Sequence, residues 1–285
     1  MNFATLRVLL TGATGGIGAA IAEALLSRGS TVLATGRDPR ALDILSRRLA
    51  RFGDKVTFVR ADLLLPDDRE RLCAAATAPR GSGPVNVLIN NAGSGQFGLF
   101  DATPEADIER LLAINVAAPL KLTRALLPHL QRQPSAAVVN MGSVLGAIGY
   151  PGQATYSATK FALRGFSEAL RRELADSHVR VLYIAPRATR TSLNSPVVER
   201  LNAALRVTTD SPAVVATALC RALARERLTS VLGWPEKLYA RINALMPSLI
   251  DRSLVAALPL IKTHAAEAIA ITGEAVAPAA TGTGA

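Results

Sequence analysis

Short β-branched and aliphatic runs alternate along this chain with longer stretches whose apolar positions recur every three or four residues. The runs Leu6–Leu10, Thr31–Ala34, Val56–Val59, Val85–Ile89, Ala136–Met141, Val179–Ile184 and Thr229–Leu232 predict strands. Helical pattern fills the gaps, and Asp38-Pro39 supplies an N-cap followed by proline at the first helical position. Strands separated by helices imply βαβ units, because parallel neighbours need crossover connections. The expected architecture is a single doubly wound α/β domain over residues 1–234, with a seven-stranded parallel sheet. No internal repeat and no second domain is visible.

The pattern changes after Trp234. Residues 235–272 read as a helical C-terminal extension in which Leu238, Ile242, Leu245, Leu249, Leu254 and Leu258 recur at helical spacing. Pro247 and Pro259 are expected to break or kink it into at least two pieces. Lys237, Arg241, Arg252 and Lys262 interleave with the apolar set. Such a basic, amphipathic segment is suited to lie on an anionic membrane surface or to pack on its own domain or a partner subunit. Packing is the expectation, with peripheral contact at a membrane's inner face kept as the alternative. Residues 273–285, rich in Ala, Gly and Thr, read as a disordered tail.

Charge modifies this picture little. The net charge is +10 and invites a nucleic-acid reading, but aromatics are only 4% of the chain and five of its 32 basic residues are Lys. The arginines are scattered over helical stretches rather than clustered, which reads as solvated helix faces. No nucleic-acid partner is expected. Cys73 and Cys220 lie far apart, at no metal-ligand spacing and in no disulfide framework. Leu6–Leu10 is too short for a signal sequence, and no uncharged apolar run reaches the length of a membrane span. A cytoplasmic protein without a metal is the expectation.

Chemistry enters with three groups of residues. Thr11-Gly12-Ala13-Thr14-Gly15-Gly16-Ile17-Gly18 follows the first strand and opens a helix. Glycines there let the backbone approach a pyrophosphate held at the positive end of the helix. Tyr156 and Lys160 stand four apart, so on a helix they share a face, and an ammonium beside a phenol favours the phenolate. Ser143 lies thirteen residues upstream of Tyr156. Near a dinucleotide, this set suits proton transfer in carbonyl and alcohol chemistry.

Together these residues resemble the short-chain dehydrogenase/reductase family over about Leu6 to Trp234, on a Rossmann-type fold. Thr11 to Gly18 looks like the family's glycine loop, and Asn90-Asn91-Ala92-Gly93 looks like its segment after the fourth strand. Asn115, Ser143, Tyr156 and Lys160 fall at its catalytic tetrad. The resemblance implies Tyr156 as proton donor and acceptor, Ser143 bonded to the substrate oxygen, Lys160 lowering the phenol's pKa and holding the nicotinamide ribose, and Asn115 ordering a water. It also implies cofactor contacts from Gly12, Thr14, Gly16, Ile17, Gly18, Asp62, Leu63, Asn90, Ala92, Thr189 and Thr191, and self-association through 104–131 and 154–175.

After the second strand the chain reads Thr35-Gly36-Arg37-Asp38. No acid stands where a ribose 2′-hydroxyl would be bound, and Arg37 offers a partner for a 2′-phosphate. NADP(H) is therefore expected, with Asp38 spent on its helix cap. One departure from the family is Arg187, in Pro186-Arg187-Ala188-Thr189-Arg190-Thr191, where glycine is usual. The loop is expected to keep ordinary backbone angles, with Arg187 or Arg190 aimed at phosphate, substrate or solvent. The variable loops offer Phe97, Phe100, Leu145, Ile148, Leu193 and Val197, which suggests a lipophilic carbonyl or alcohol substrate. The alternatives are an NADP(H)-binding sensor or scaffold with little turnover, and lyase or isomerase chemistry on the same fold.

Overall fold

The computed structural model describes residues 1–78, 83–191 and 193–272. The expected tail at 273–285 lies outside the described residues. Seven strands form one sheet: β1 (Arg7–Leu10), β2 (Thr31–Gly36), β3 (Val56–Arg60), β4 (Val87–Asn90), β5 (Ala136–Met141), β6 (Val179–Ala185) and β7 (Thr229–Val231). Their spatial order is β3-β2-β1-β4-β5-β6-β7, with every pairing parallel. Each expected strand is present, with ends moved by at most two residues. The order reverses between β1 and β4, and in such sheets the crevice beyond the strand ends at this point receives the ligand.

The connecting helices are α1 (Gly16–Leu26), α2 (Pro39–Leu49), α3 (Pro66–Thr77), α4 (Glu105–Leu112), α5 (Ala118–Leu130), α6 (Ala154–Glu173), α7 (Pro196–Ala204) and α8 (Pro212–Ala224). Alternate residues of a strand face opposite sides, so each strand feeds two cores. Val8 and Leu10 join Ile21, Leu25, Val215 and Leu219 of α1 and α8. Leu9 turns the other way and joins Leu72, Leu122, Leu126 and Leu170 of α3, α5 and α6. Both faces are covered, which is why β4 and β5 contain no exposed position.

Beyond the sheet come α9 (Glu236–Leu245) and α10 (Pro247–Thr272). Pro247 divides the extension as expected, with Met246 at φ −139°, ψ 68° between the helices. Pro259 lies inside α10 without ending it, so the extension forms two pieces, divided at Pro247. Proline removes one N–H, and the carbonyl it deprives belongs to Val255 on the preceding turn. Val255 and Pro259 are both exposed, so water can serve that carbonyl and the helix continues.

Candidate active site

The glycine loop is built for close approach. Gly12 has φ +62°, and a Cβ there would lie 2.7 Å from the Ala92 backbone. A Cβ on Gly18 would lie 2.1 Å from the Gly12 carbonyl. The loop is stitched to the segment after β4: Thr11 Oγ1 accepts from the Asn91 and Ala92 N–H groups at 2.9 and 3.0 Å, and Asn91 Nδ2 donates to the Thr11 and Gly12 carbonyls at 3.0 Å. Among the described residues no side chain caps α1, whose N-cap is Gly15, which leaves its first N–H groups open toward the crevice. Thr35 Oγ1 is buried nearby without a partner. A helix N-terminus left bare beneath a glycine turn fits a dinucleotide pyrophosphate.

At the tip of β2, Gly36 sits against Thr14, where a Cβ would lie 2.9 Å from its methyl. Asp38 accepts from the Arg40 N–H at 2.9 Å, so it caps α2 as expected. Arg37 is exposed, and Arg60, paired with Gly36 across the sheet, donates to the Arg37 carbonyl at 3.2 Å. Among the described residues neither guanidinium has an acidic partner. Asp62 Oδ1 accepts from Leu64 N–H at 3.0 Å and holds the turn after β3. The Asn90 side chain faces inward instead, donating to Asn140 and Thr123 at 2.9 and 3.0 Å, so only its backbone faces the cofactor side.

The four tetrad residues converge at the carboxyl ends of β4 and β5. Ser143 follows β5 and caps a short 3-10 turn, accepting from Leu145 N–H at 3.1 Å. Lys160 is buried, its Nζ 5.5 Å from the centre of the Tyr156 ring and donating to the Met141 carbonyl at 3.1 Å. Desolvation brings its pKa down to about 8. Tyr156 is pushed up to about 12 by burial, and the Ser143 hydroxyl opposes only part of that rise. The expected lowering of the phenol by Lys160 is therefore absent in this state. The low-dielectric setting that brings the two groups together disfavours charge on both.

Asn115 occupies a π turn, Ala113–Ala117, between α4 and α5. Its Nδ2 donates to the Ser94 carbonyl at 2.9 Å and to Thr159 Oγ1 at 3.1 Å, while Oδ1 accepts from Ser94 N–H at 2.9 Å. The side chain is thus spent on locking α6 to the loop after β4. A π turn leaves a backbone carbonyl without its helical partner, so the water-ordering role expected of Asn115 would rest with the backbone.

Tyr183 of β6 escaped sequence reasoning. Its ring fills the space that side chains at positions 142 and 146 would need, with Cβ contacts of 2.1 and 2.4 Å. Its hydroxyl accepts from Ser143 N–H at 3.4 Å and donates to the Ser143 carbonyl at 3.3 Å, fixing the serine from beneath. Gly142 and Gly146, flanking Ser143, were the available signal that a large group approaches there.

In the loop after β6 it is Arg190 that turns to solvent. Arg187 turns to two carboxylates instead. It donates from Nη2 to Asp210 Oδ1 at 2.8 Å and from Nη1 to Glu236 at 3.4 and 3.5 Å. The three side chains are 16%, 10% and 18% exposed, so the cluster is mostly shielded. Positive φ is absent at Arg187, as expected; Gly233 supplies it instead, at φ +89°, where a Cβ would lie 2.4 Å from Glu236. Arg190 is exposed and donates to Thr209. Thr189 bridges to Asp210, and Thr191 touches the glycine loop, lying 3.1 Å from where a Gly16 Cβ would be.

Above the tetrad, Phe97 and Ile261 close over Gly152, and Val197 and Ile148 are buried. Leu193 is 54% and Phe100 64% exposed; Phe100 stands apart from the lining expected of it. The extension forms the roof: Asn243 Nδ2 donates to the Ala147 carbonyl at 2.9 Å, and Arg200 of α7 pairs with Glu267 of α10. Among the described residues, no three His, Cys, Asp or Glu side chains are placed to hold a metal ion.

Comparison with known proteins agrees with this geometry. The short chain dehydrogenase family model matches residues 7–202. Nodulation protein G of Rhizobium sp. (strain N33) is 35% identical over 196 residues, 69% of this chain and 76% of that protein. A short-chain dehydrogenase from Sphingobium yanoikuyae solved with NADPH superposes with a TM-score of 0.72 at 30% identity, covering 88% of this chain and 95% of the other. A short-chain dehydrogenase/reductase from Burkholderia phymatum solved with NAD reaches 0.79 at 25% identity, covering 87% and 96%. The chain belongs to the short-chain dehydrogenase/reductase family. It is an oxidoreductase of carbonyl and alcohol substrates that works with NAD(P)(H).

Proposed function

We propose that this chain interconverts a lipophilic carbonyl and its alcohol with NADP(H), using Tyr156 as general acid and base. The observation that carries the reading is the meeting of the Ser143 hydroxyl, the Tyr156 phenol and the Lys160 ammonium at the end of β5, beside a bare helix N-terminus. When bound, the dinucleotide supplies or accepts the hydride. Gly12 to Gly18 and the first turn of α1 would hold its pyrophosphate, with Lys160 at the nicotinamide ribose and Thr189 and Thr191 at the carboxamide end. Arg37 and Arg60 favour a 2′-phosphate, because Asp38 is spent on its cap and neither guanidinium has an acidic partner among the described residues.

With its pKa at about 12, Tyr156 holds its proton at neutral pH and is set to give it to a substrate oxygen. Ser143, fixed by Tyr183, would donate to the same oxygen as negative charge develops there. Lys160 stabilises the phenolate left behind, so its attraction is felt in the transition state more than in the resting site. Phe97, Ile148, Val197 and Ile261 support an apolar substrate, since the roof offers it few fixed charges.

The test is NADPH oxidation against ketones of increasing chain length, by the native chain and by Tyr156→Phe. Turnover should rise with chain length and fall by about 10²–10⁴-fold in the variant, with NADPH affinity unchanged. Retained turnover in Tyr156→Phe would refute the catalytic assignment, and activity confined to small charged carbonyls would refute the lipophilic one.

A further inference from the structure

The roof has an outer surface that catalysis does not use. Between α9 and α10 the chain leaves six consecutive residues exposed, Ala244 to Leu249. Leu245 is 80% exposed, Met246 51% and Leu249 47%, and on the adjoining turns Leu238 and Tyr239 stand open at 42% and 46%. Pro247–Ala270 has a mean hydropathy of 1.2 in its most apolar window, of which 11% is buried; Glu105–Leu130, of similar hydropathy at 1.3, has 39% buried. The second is a core helix. The first has its apolar surface turned outward.

Charge on this segment is sorted by side. Its acidic residues up to Lys262 are Glu236 and Asp251. Glu236 turns inward to Arg187, and Asp251, though exposed, lines the groove of about 500 Å³ between α10 and α6 rather than pairing with a cation of the elbow. Lys237, Arg241 and Arg252 are exposed, and none has an acidic partner among the described residues. Lys237 and Arg241 stand one turn apart, and Leu238, Arg241 and Leu245 follow one another at helical spacing, so cations and apolar side chains share a face. Trp234, 69% exposed, precedes α9.

We infer that the α9–α10 elbow docks on an anionic lipid bilayer, inserting Leu245, Met246 and Leu249 while Lys237, Arg241 and Arg252 meet the headgroups. A helix face that is apolar, carries unpaired cations and has its acids turned away matches such a surface in both hydrophobicity and charge. The segment lies on the membrane rather than crossing it. Ile261 and Ala265 are fully buried against the domain, and Asn243 and Glu267 pin the helices to it, so a crossing would strip the roof from the site. This docking does not depend on which substrate the site reduces.

The chain carries one tryptophan, Trp234, beside the elbow, which gives an intrinsic probe. The full-length protein is mixed with vesicles of phosphatidylcholine, with and without phosphatidylglycerol, and followed by co-sedimentation and by Trp234 emission. Binding and a blue shift are expected with the anionic vesicles, weakening as salt is raised. Lys237→Glu with Arg241→Glu should reduce binding at least about tenfold, since each basic residue near an anionic surface contributes about fivefold. Leu245→Asp with Leu249→Asp should abolish it while the thermal unfolding midpoint falls only slightly, because Leu245 is largely and Leu249 about half in water already. Absence of co-sedimentation would overturn the inference, as would equal binding by both variants. An elbow-dependent doubling of mass without vesicle binding would overturn it too, assigning the face to a second copy of this chain.

Discussion

The floor of the site and its roof are held by different means. The floor is strand ends and a glycine loop in contact so close that Cβ atoms would collide at Gly12 and Gly18, with both faces of the sheet buried beneath it. The roof, α7 with α9 and α10, is tied down by a few polar pins and keeps much of its apolar surface in water. The side chains proposed to move protons thus sit where displacement is costly. Those proposed to meet substrate sit where the chain is free to vary.

The sharpest way to break this contrast is to cut the pin that joins roof and floor. Arg187→Met leaves Asp210 and Glu236 shielded and unpaired. Losing one partner of a buried ion pair costs about 3–5 kcal/mol, and residual solvent access lowers the expectation here to about 2–3 kcal/mol. Urea unfolding should register that loss, together with a raised KM for NADPH as the Thr189–Thr191 loop loosens. Glu236→Gln should cost much less, since the closer Asp210 contact survives. Equal stability of Arg187→Met and the native chain would show that the roof is held by packing alone.

A smaller effect is expected at the opposite edge of the floor. Arg37→Ala should lower the preference for NADPH over NADH by roughly tenfold or more, the value of a hydrogen bond to a charged group. The ratio of kcat/KM for the two cofactors measures it. An unchanged ratio would leave Arg60, or no arginine, as the reader of the 2′-phosphate.

A third effect concerns pH. Lys160 in the folded chain has its pKa at about 8, below the ordinary lysine value of 10.5. Between those values the unfolded chain keeps a proton that the folded chain has released, so stability rises with pH across that window. Tyr156 and Tyr183, raised to about 12, act oppositely above pH 10, where only the folded chain keeps the phenolic proton. Urea midpoints from pH 7.5 to 9.5 should climb for the native chain and stay flatter for Lys160→Met. Parallel curves would mean that Lys160 keeps its proton throughout.

Legibility in the sequence followed the same division. The strands could be placed to within two residues because Val32, Ile89 and Val138 lie in short apolar runs that only a doubly covered sheet accommodates. The glycine loop and the Tyr156–Lys160 pair could be singled out because each is a short motif whose members lie within a few residues of one another. Arg187 could not be followed, since its partners lie 23 and 49 residues downstream and meet it only after β6, β7 and the turn at Gly233 have formed. The Tyr156 pKa escaped for a related reason: spacing revealed its neighbour Lys160, whereas burial of the pair is a property of the assembled fold. Whether Pro259 ends its helix or lies within it was not legible, because that depends on whether solvent can reach the carbonyl it strands.

The Arg187 clamp also sets the terms on which this protein can be taken apart and recombined. Residues 236–272 look like a module that could be exchanged with those of a relative to change what the pocket admits. Their first residue, Glu236, is bonded to an arginine in a loop of the cofactor half, which is held in turn by Asp210. A chimera that imports the extension without Arg187, Asp210 and the glycine at 233 brings an orphaned carboxylate to the loop after β6. The exchangeable unit is therefore discontinuous in sequence, and its seam runs through that ion pair.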